Sequence, residues 1–170
     1  MKLYLIRHGE VEDNAKVVLL GWRDVSLNGI GRRQSADAAD GFNKDSQAIF
    51  CSDLKRCQET AQPFRAKFPG AAYFLDWRLR ERYFGSAQGK PRAEAFPAGA
   101  SDVVAEDAES VEHHRLRMLN FVENMKSMVP SFDSILIVTH NGSINRLREA
   151  LLQADDMVMY DNGQIIEFEI

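Results

Sequence analysis

The 170-residue chain is poor in the residues that usually staple or divide a fold, with two cysteines, four histidines and five prolines. Two cysteines, Cys51 and Cys57, make no disulfide framework, and Cys57 falls on an apolar helical stripe, so a reducing compartment is expected. Neither has a metal-ligand spacing. No apolar run approaches the roughly 18 to 20 residues of a membrane span. The charged start, apolar stretch and small-residue cleavage site of a signal peptide are also missing. These absences predict a cytoplasmic protein without a membrane partner. A formal net charge of -4 gives no basic footprint, which argues against nucleic acid as a ligand. There is no internal repeat, and the length fits a single domain over 1–170 with one active site. No pattern in the chain declares an oligomeric state.

What is present is organised around short apolar runs. Residues 2–6 and 134–139 are nearly continuous in apolar character, the pattern of strands covered on both faces of a parallel sheet, and each runs at once into a histidine, His8 and His140. Ile49-Phe50-Cys51 reads as a third strand ending at Ser52, a candidate helix N-cap. The helix after it carries Leu54, Cys57, Ala61, Phe64 and Phe68 as one stripe, with Arg56 off the stripe in the first turn. Asn28 caps a predicted helix to about Phe42, with Gly31, Ser35, Ala38 and Phe42 inward. A long helix is expected from about Glu109 to Val129, with Val111, Met118, Val122, Met125 and Val129 inward, and another from about Gly142 to Gln153. Asp161-Asn162-Gly163 turns the chain into a last strand over 164–170. Between Gly85 and Asp107 no period is evident, and a short surface loop over the site is expected at 85–107. Strands alternating with helices predict an α/β fold, a three-layer α/β/α sandwich with a mostly parallel central sheet.

In such a fold the strand ends collect Arg7, His8, Arg56 and His140 on one edge of the sheet, where open α/β sheets place their chemistry. The ligand this arrangement suits is a phosphoryl group. Arginines clamp its oxygens with planar, bidentate donors. A neutral imidazole attacks phosphorus, and a second histidine stabilises the charge on the oxygens. Ester hydrolysis also needs a proton for the leaving oxygen. Glu81, within Arg78-Leu79-Arg80-Glu81-Arg82-Tyr83, is the best carboxyl, because in an extended segment it points away from Arg78, Arg80 and Arg82, which read as a solvated face. Glu10, Glu59 and Glu94 are rival carboxylates. His113 and His114 read as helix-face residues rather than ligands, with His114 at the edge of the apolar stripe.

The blocks in order resemble the histidine phosphatase superfamily, which includes the cofactor-dependent phosphoglycerate mutases. Leu5-Ile6-Arg7-His8-Gly9-Glu10 with Asn14 is similar to its opening motif. Gly21-Trp22-Arg23-Asp24 with Leu27-Asn28 and Gly31-Arg32-Arg33-Gln34 resembles the second block, and Cys51-Ser52-Asp53-Leu54-Lys55-Arg56 with Thr60-Ala61 the third. Leu79-Arg80-Glu81 with Gly85 and Gly89, Glu109-Ser110 with Arg117, and Leu136-Ile137-Val138-Thr139-His140 complete the series. The resemblance implies a phosphoglycerate mutase-like fold and makes His8 the nucleophile and Glu81 the acid and then the base for water. It puts Arg7, Asn14, Arg56, His140 and Asn141 on the phosphate, with no metal or other cofactor. Three positions depart from the family: Val11 for a common threonine, Ala87-Gln88 for a tryptophan-glutamate pair, and Asn141 for a frequent glycine, which alters a backbone amide contact to phosphate.

The span from Gly85 to Ser110 is short beside the covering insertion of the mutases and holds little basic charge beyond Lys90 and Arg92, so water is hard to exclude. A phosphatase acting on a small phosphorylated metabolite is therefore expected, of the α-ribazole phosphatase kind or of broad specificity. Phosphoglycerate mutase-type transfer, a protein phosphohistidine phosphatase and a catalytically weak phospho-ligand-binding scaffold are the alternatives. The unperturbed pKa values, about 6.5 for histidine and about 4.3 for glutamate, give the wrong protonation order for a neutral His8 and a protonated Glu81. The folded site is expected to correct it.

Overall fold

The computed structural model describes residues 1–100, 102–128, 132–154 and 156–169. Among them five strands form one sheet: β1 (Lys2–Arg7), β2 (Ala48–Cys51), β3 (Ala72–Leu75), β4 (Ser134–Thr139) and β5 (Ile165–Glu169). Their order is β3-β2-β4-β1-β5, with β5 antiparallel to β1 and every other pairing parallel. The helices are α1 (Glu12–Ala15), α2 (Gly29–Gly41), α3 (Lys55–Lys67), α4 (Arg92–Ala95), α5 (Val111–Met128) and α6 (Asn141–Leu152).

β1 shows why a continuous apolar run suits a central strand. Leu3 and Leu5 point to one face, into a core with Met118, Phe121 and Met125 of α5 and Ile144 and Leu147 of α6. Tyr4 and Ile6 point to the other, against Ala39 and Phe42 beside α2 and Cys57, Ala61 and Phe64 of α3. Each such side chain contributes roughly 1.5–3 kcal/mol by leaving water. The result is the expected three-layer sandwich. From the adjacent strands β1 and β4 the chain departs to opposite faces, into α2 and α6, and this divergence opens a crevice at their carboxyl ends.

Several local expectations are corrected. Asn28 does cap α2, accepting from Gly31 N at 2.8 Å, but Ala39 rather than Ala38 is the fully buried alanine. Leu54, not Ser52, stands at the N-cap of α3, because the Ser52 hydroxyl is engaged by His140. α5 begins at Val111, which is exposed; its inward face starts instead with His114 and Arg117. Val129 and Ile170 lie outside the described residues. β3 was not expected. It is a half-exposed edge strand whose pattern carries neither alternation nor a continuous buried run.

The 85–107 segment is more structured than a surface loop. It holds a 3-10 turn at Gly85–Ala87 and the short α4. It also has its own small core, in which Leu19, Ala87, Ala95 and Val103 meet Phe84 and Phe96. Backbone hydrogen bonds from Leu19 N to Lys90 O, Gly89 N to Leu19 O and Arg92 N to Val17 O bind it to residues 17–19. It forms a strap across the crevice.

Candidate active site

Arg7 closes β1, and His8 extends the ladder by one bond, donating its backbone N–H to Thr139 O at 2.9 Å. The next peptide is held by Thr60, whose hydroxyl accepts from Gly9 N at 3.0 Å and donates to Arg56 O at 2.7 Å. A Cβ on Gly9 would strike the backbone of Gly31, so two glycines allow α2 to start hard against this loop. The His8 ring is buried and lies 2.8 Å from Gly9 O through Nδ1. A carbonyl oxygen only accepts, so Nδ1 carries the hydrogen and Nε2 keeps its lone pair. Burial, together with Arg56 and Arg7, holds the His8 pKa well below its usual value. The imidazole is neutral and nucleophilic near pH 7.

Arg56, in the first turn of α3, is fully buried. Its guanidinium donates to Arg23 O and Gly21 O, each at 2.8 Å, and through Nη2 to His140 Nδ1 at 3.1 Å. That last bond fixes His140 as well: Nδ1 accepts, so Nε2 carries the hydrogen and donates to Ser52 Oγ at 3.0 Å. Burial, then Arg56 and His8, press the His140 pKa well below the ordinary range. The two rings stand 5.1 Å apart at 62°. Arg7 donates to Tyr160 O. The Nε atoms of both Arg7 and Arg56 are buried without a hydrogen-bond partner among the described residues. Neither guanidinium has an ion-pair partner among the described residues, although Glu81 and Asp161 act on Arg7, and Glu81, Asp24 and Asp13 on Arg56, from farther off.

Glu81 comes to the same place from the opposite side. Its Oε2 accepts from Gly142 N at 3.0 Å and its Oε1 from Arg82 N at 2.8 Å. A Cβ at Gly142 would collide with this carboxylate, so glycine here admits the acid to the start of α6. Trp22 Nε1 donates to Glu81 O at 2.6 Å, and Arg117, ion-paired to Glu109 at 2.7 Å, donates to the carbonyls of Arg78, Arg80 and Glu81. The sequence marked Trp22 and Arg117 only as motif members. Here they set the backbone that carries the acid. Asn14 lines the cleft while its Oδ1 accepts from Val11 N at 3.2 Å. Asn141 also lines it, but its side chain is occupied: Oδ1 accepts from Tyr160 N at 2.8 Å and Nδ2 donates to Val158 O at 3.3 Å. Its side chain therefore holds the segment 158–160, with one N–H of Nδ2 still free of a partner among the described residues.

Arg7, His8, Asn14, Arg56, Glu81 and Asn141 line one cleft of about 570 Å³, whereas His140 is not on its wall and meets it through Arg56. Beyond Glu81 its walls come from the strap and from residues 157–159, where Met157 and Met159 are exposed at the mouth. The solvated arginine face expected of residues 78–82 is not found. Arg78 pairs with Asp76, Arg80 with Asp53 and Arg82 with Asp102, and Arg82 is buried in the cleft wall. A 3-10 turn at Trp77–Leu79 breaks the extended geometry on which that expectation rested. His114, expected at the edge of the apolar stripe of its helix, is buried on the inward face of α5 and also lines the cleft. Among the described residues no cluster of three or more His, Cys, Asp or Glu is placed to hold a metal ion, and no helix is long and apolar enough to cross a membrane.

Comparison with known proteins matches residues 3–169 to the model of the histidine phosphatase superfamily (branch 1). The chain is 31% identical over 155 residues to a probable phosphatase of Schizosaccharomyces pombe, spanning 90% of this chain and 74% of that one. It is 33% identical over 161 residues to phosphoglycerate mutase-like protein 4 of Arabidopsis thaliana, spanning 87% and 70%. Among solved structures, a mycobacterial glucosyl-3-phosphoglycerate phosphatase superposes with a TM-score of 0.85 at 25% identity, over 98% of this chain and 88% of the other. The protein belongs to branch 1 of the histidine phosphatase superfamily.

Proposed function

We propose that the protein is a phosphatase that hydrolyses a small-molecule phosphate monoester through a phosphohistidine on His8. The observation that carries this reading is that Arg7, Arg56 and Glu81 line one cleft with a neutral His8 whose Nε2 keeps its lone pair, while neither arginine has an ion-pair partner among the described residues. A phosphoryl group seated there completes both guanidiniums with charge-assisted bonds. His8 Nε2 attacks phosphorus, the P–O ester bond breaks, and the leaving oxygen takes a proton from Glu81. In the second step Glu81 removes a proton from water, the oxygen of that water attacks phosphorus, and the P–N bond breaks to release inorganic phosphate and neutral His8. Arg56 stabilises the charge spread over the equatorial oxygens, and His140, which accepts from Arg56 and donates to Ser52, positions that guanidinium.

Water rather than a second substrate hydroxyl is the acceptor in this reading, because the strap is short and the exposed Met157 and Met159 leave the mouth open. The relatives named above include a probable phosphatase and a glucosyl-3-phosphoglycerate phosphatase, which agrees with hydrolysis. The test is phosphate release from 4-nitrophenyl phosphate and a panel of metabolite esters, with His8→Ala as control. Release no greater than that of the control across the panel overturns the reading. Isomerisation of 3-phosphoglycerate, primed with a bisphosphoglycerate, that outruns phosphate release would replace it with a mutase.

A further inference from the structure

One buried polar group in the cleft has no part in the proposed chemistry. His114 lies on the inward face of α5, among the cleft-lining residues, with its Nε2 3.1 Å from Ser143 Oγ. Ser143 Oγ is in turn 2.8 Å from Arg80 O. Two oxygens so close need a hydrogen between them, and a carbonyl has none to give, so the serine hydroxyl donates to Arg80 O. Its lone pair then faces His114, which must donate from Nε2. Nδ1 is left as a lone-pair acceptor with no partner among the described residues, and it is the polar atom the ring can offer to a bound molecule.

The cleft wall at this end mixes apolar side chains, Leu19, Phe84, Phe96, Val111, Met157 and Val158, with charged ones, and Arg146, Arg82 and Arg117, the last paired with Glu109, act on the His114 ring. The nearby cations are already engaged. Arg82 is held bidentately by Asp102, and Arg146 by Glu149 and Met157 Sδ. Arg92 is exposed and lies over the Phe96 ring at 4.8 Å, and a solvent-exposed cation contributes little to binding. This end of the cleft has an acceptor and apolar surface to offer, and no free buried cation.

Resting on the phosphatase reading, we infer that His114 is a specificity-determining residue whose Nδ1 accepts a hydrogen bond from a hydroxyl or N–H of the leaving group, and that this leaving group is uncharged and largely apolar. An acceptor desolvated by the substrate but left unpaired is costly, so the site discriminates against an ester that lacks the donor.

The test compares ω-hydroxyalkyl phosphates of increasing chain length with their methyl ethers, which lack the donor hydrogen. At the length that spans from His8 to His114, the wild-type protein should favour the hydroxyl ester by about 10- to 100-fold in kcat/KM. In His114→Phe that ratio should collapse to within about threefold, and His114→Gln, which retains an acceptor, should restore part of it. Equal kcat/KM for ester and ether at every length, or a preference that survives His114→Phe, overturns the inference. So does a preference of more than about tenfold for 3-phosphoglycerate over every hydroxyl ester. Because the decisive comparison is between substrates on the wild-type protein, poor folding of a variant does not rescue the inference. Failure to release phosphate from any ester, 4-nitrophenyl phosphate included, overturns the phosphatase reading itself; release without discrimination overturns the role of His114 alone.

Discussion

The two ends of the cleft are built on different principles. At the phosphoryl end every functional group sits on or next to a strand or helix terminus and is locked by at least one hydrogen bond: His8 to Gly9 O, His140 to Arg56, Glu81 to Gly142 N. At the far end the wall is a strap whose small core is largely alanine and two phenylalanines, tied to the body by backbone bonds and the Arg82–Asp102 pair. The first end fixes a reaction, since rigid placement of charge is what lowers the barrier. The second has few buried apolar contacts and belongs to the low-stability part of the molecule, where selection among substrates is easily changed. Chemistry and choice of substrate are thus carried by parts of unequal rigidity.

The sharpest way to break this division is at His8. His8→Ala removes the nucleophile and should lower kcat/KM at least about 10³-fold for every substrate alike; a loss confined to some substrates would mean that the two ends are not separate. Glu81→Gln should cost about 10²- to 10⁴-fold on an alkyl phosphate and much less on 4-nitrophenyl phosphate, whose leaving oxygen needs little protonation. An equal loss on both esters would assign the acid elsewhere. Arg56→Met should abolish the stabilisation that inorganic phosphate gives, which at a hundred times Kd is about 2.7 kcal/mol in a thermal melt. If phosphate still raises Tm in that variant, the guanidinium is not the clamp. The body and strap should also differ in stability: Phe121→Ala, in the main core, is expected to cost about 3–5 kcal/mol, whereas Phe96→Ala, on the strap, should cost well under half of that in denaturant melts. Equal costs would make the strap part of the same cooperative core.

The smallest effect is set by protons. His8, His114 and His140 all have folded pKa values well below the usual 6.5, burial being the first cause in each. The unfolded chain therefore binds protons at these sites before the folded one does. Their contribution is complete above about pH 6.5 and is lost as pH falls from there toward the folded pKa values, by up to about 1.4 kcal/mol per histidine per pH unit. Melts between pH 7 and pH 5 should show this decline, reduced in His114→Phe relative to wild type. The same depression keeps His8 deprotonated into mildly acidic solution, so the acid limb of kcat/KM should fall below pH 6.5.

Much of the phosphoryl end was legible in the sequence, and for a physical reason. Strands buried on both faces must be continuously apolar, so the break at Arg7-His8 and at His140 marks the sheet edge without ambiguity. The strap was not legible because alanine carries no periodic signal, and its partners at residues 17–19 are distant in sequence. β3 escaped because an edge strand with half-exposed side chains need satisfy neither strand pattern. His114 escaped because what buries it and fixes its tautomer, Ser143 and the Arg80 carbonyl, comes from other segments. Arg82 misled in the same way: its Asp102 partner lies across the strap, and local alternation says nothing about it.

The last turn before β5 also ties the end of β1 to residues far along the chain. Asn162 Nδ2 donates to His8 O at 2.8 Å and Gly163 N to Arg7 O at 2.9 Å, while β1 itself is flanked only by β4 and β5. β1 waits for residues synthesised far later before it has either of its two neighbours in the sheet. Non-local closure of this kind is slow and leaves apolar edges open meanwhile. Nascent chains that stop before residue 134 should hold β1 unpaired and lean on chaperones, and His8 should take its final position only as the turn before β5 docks.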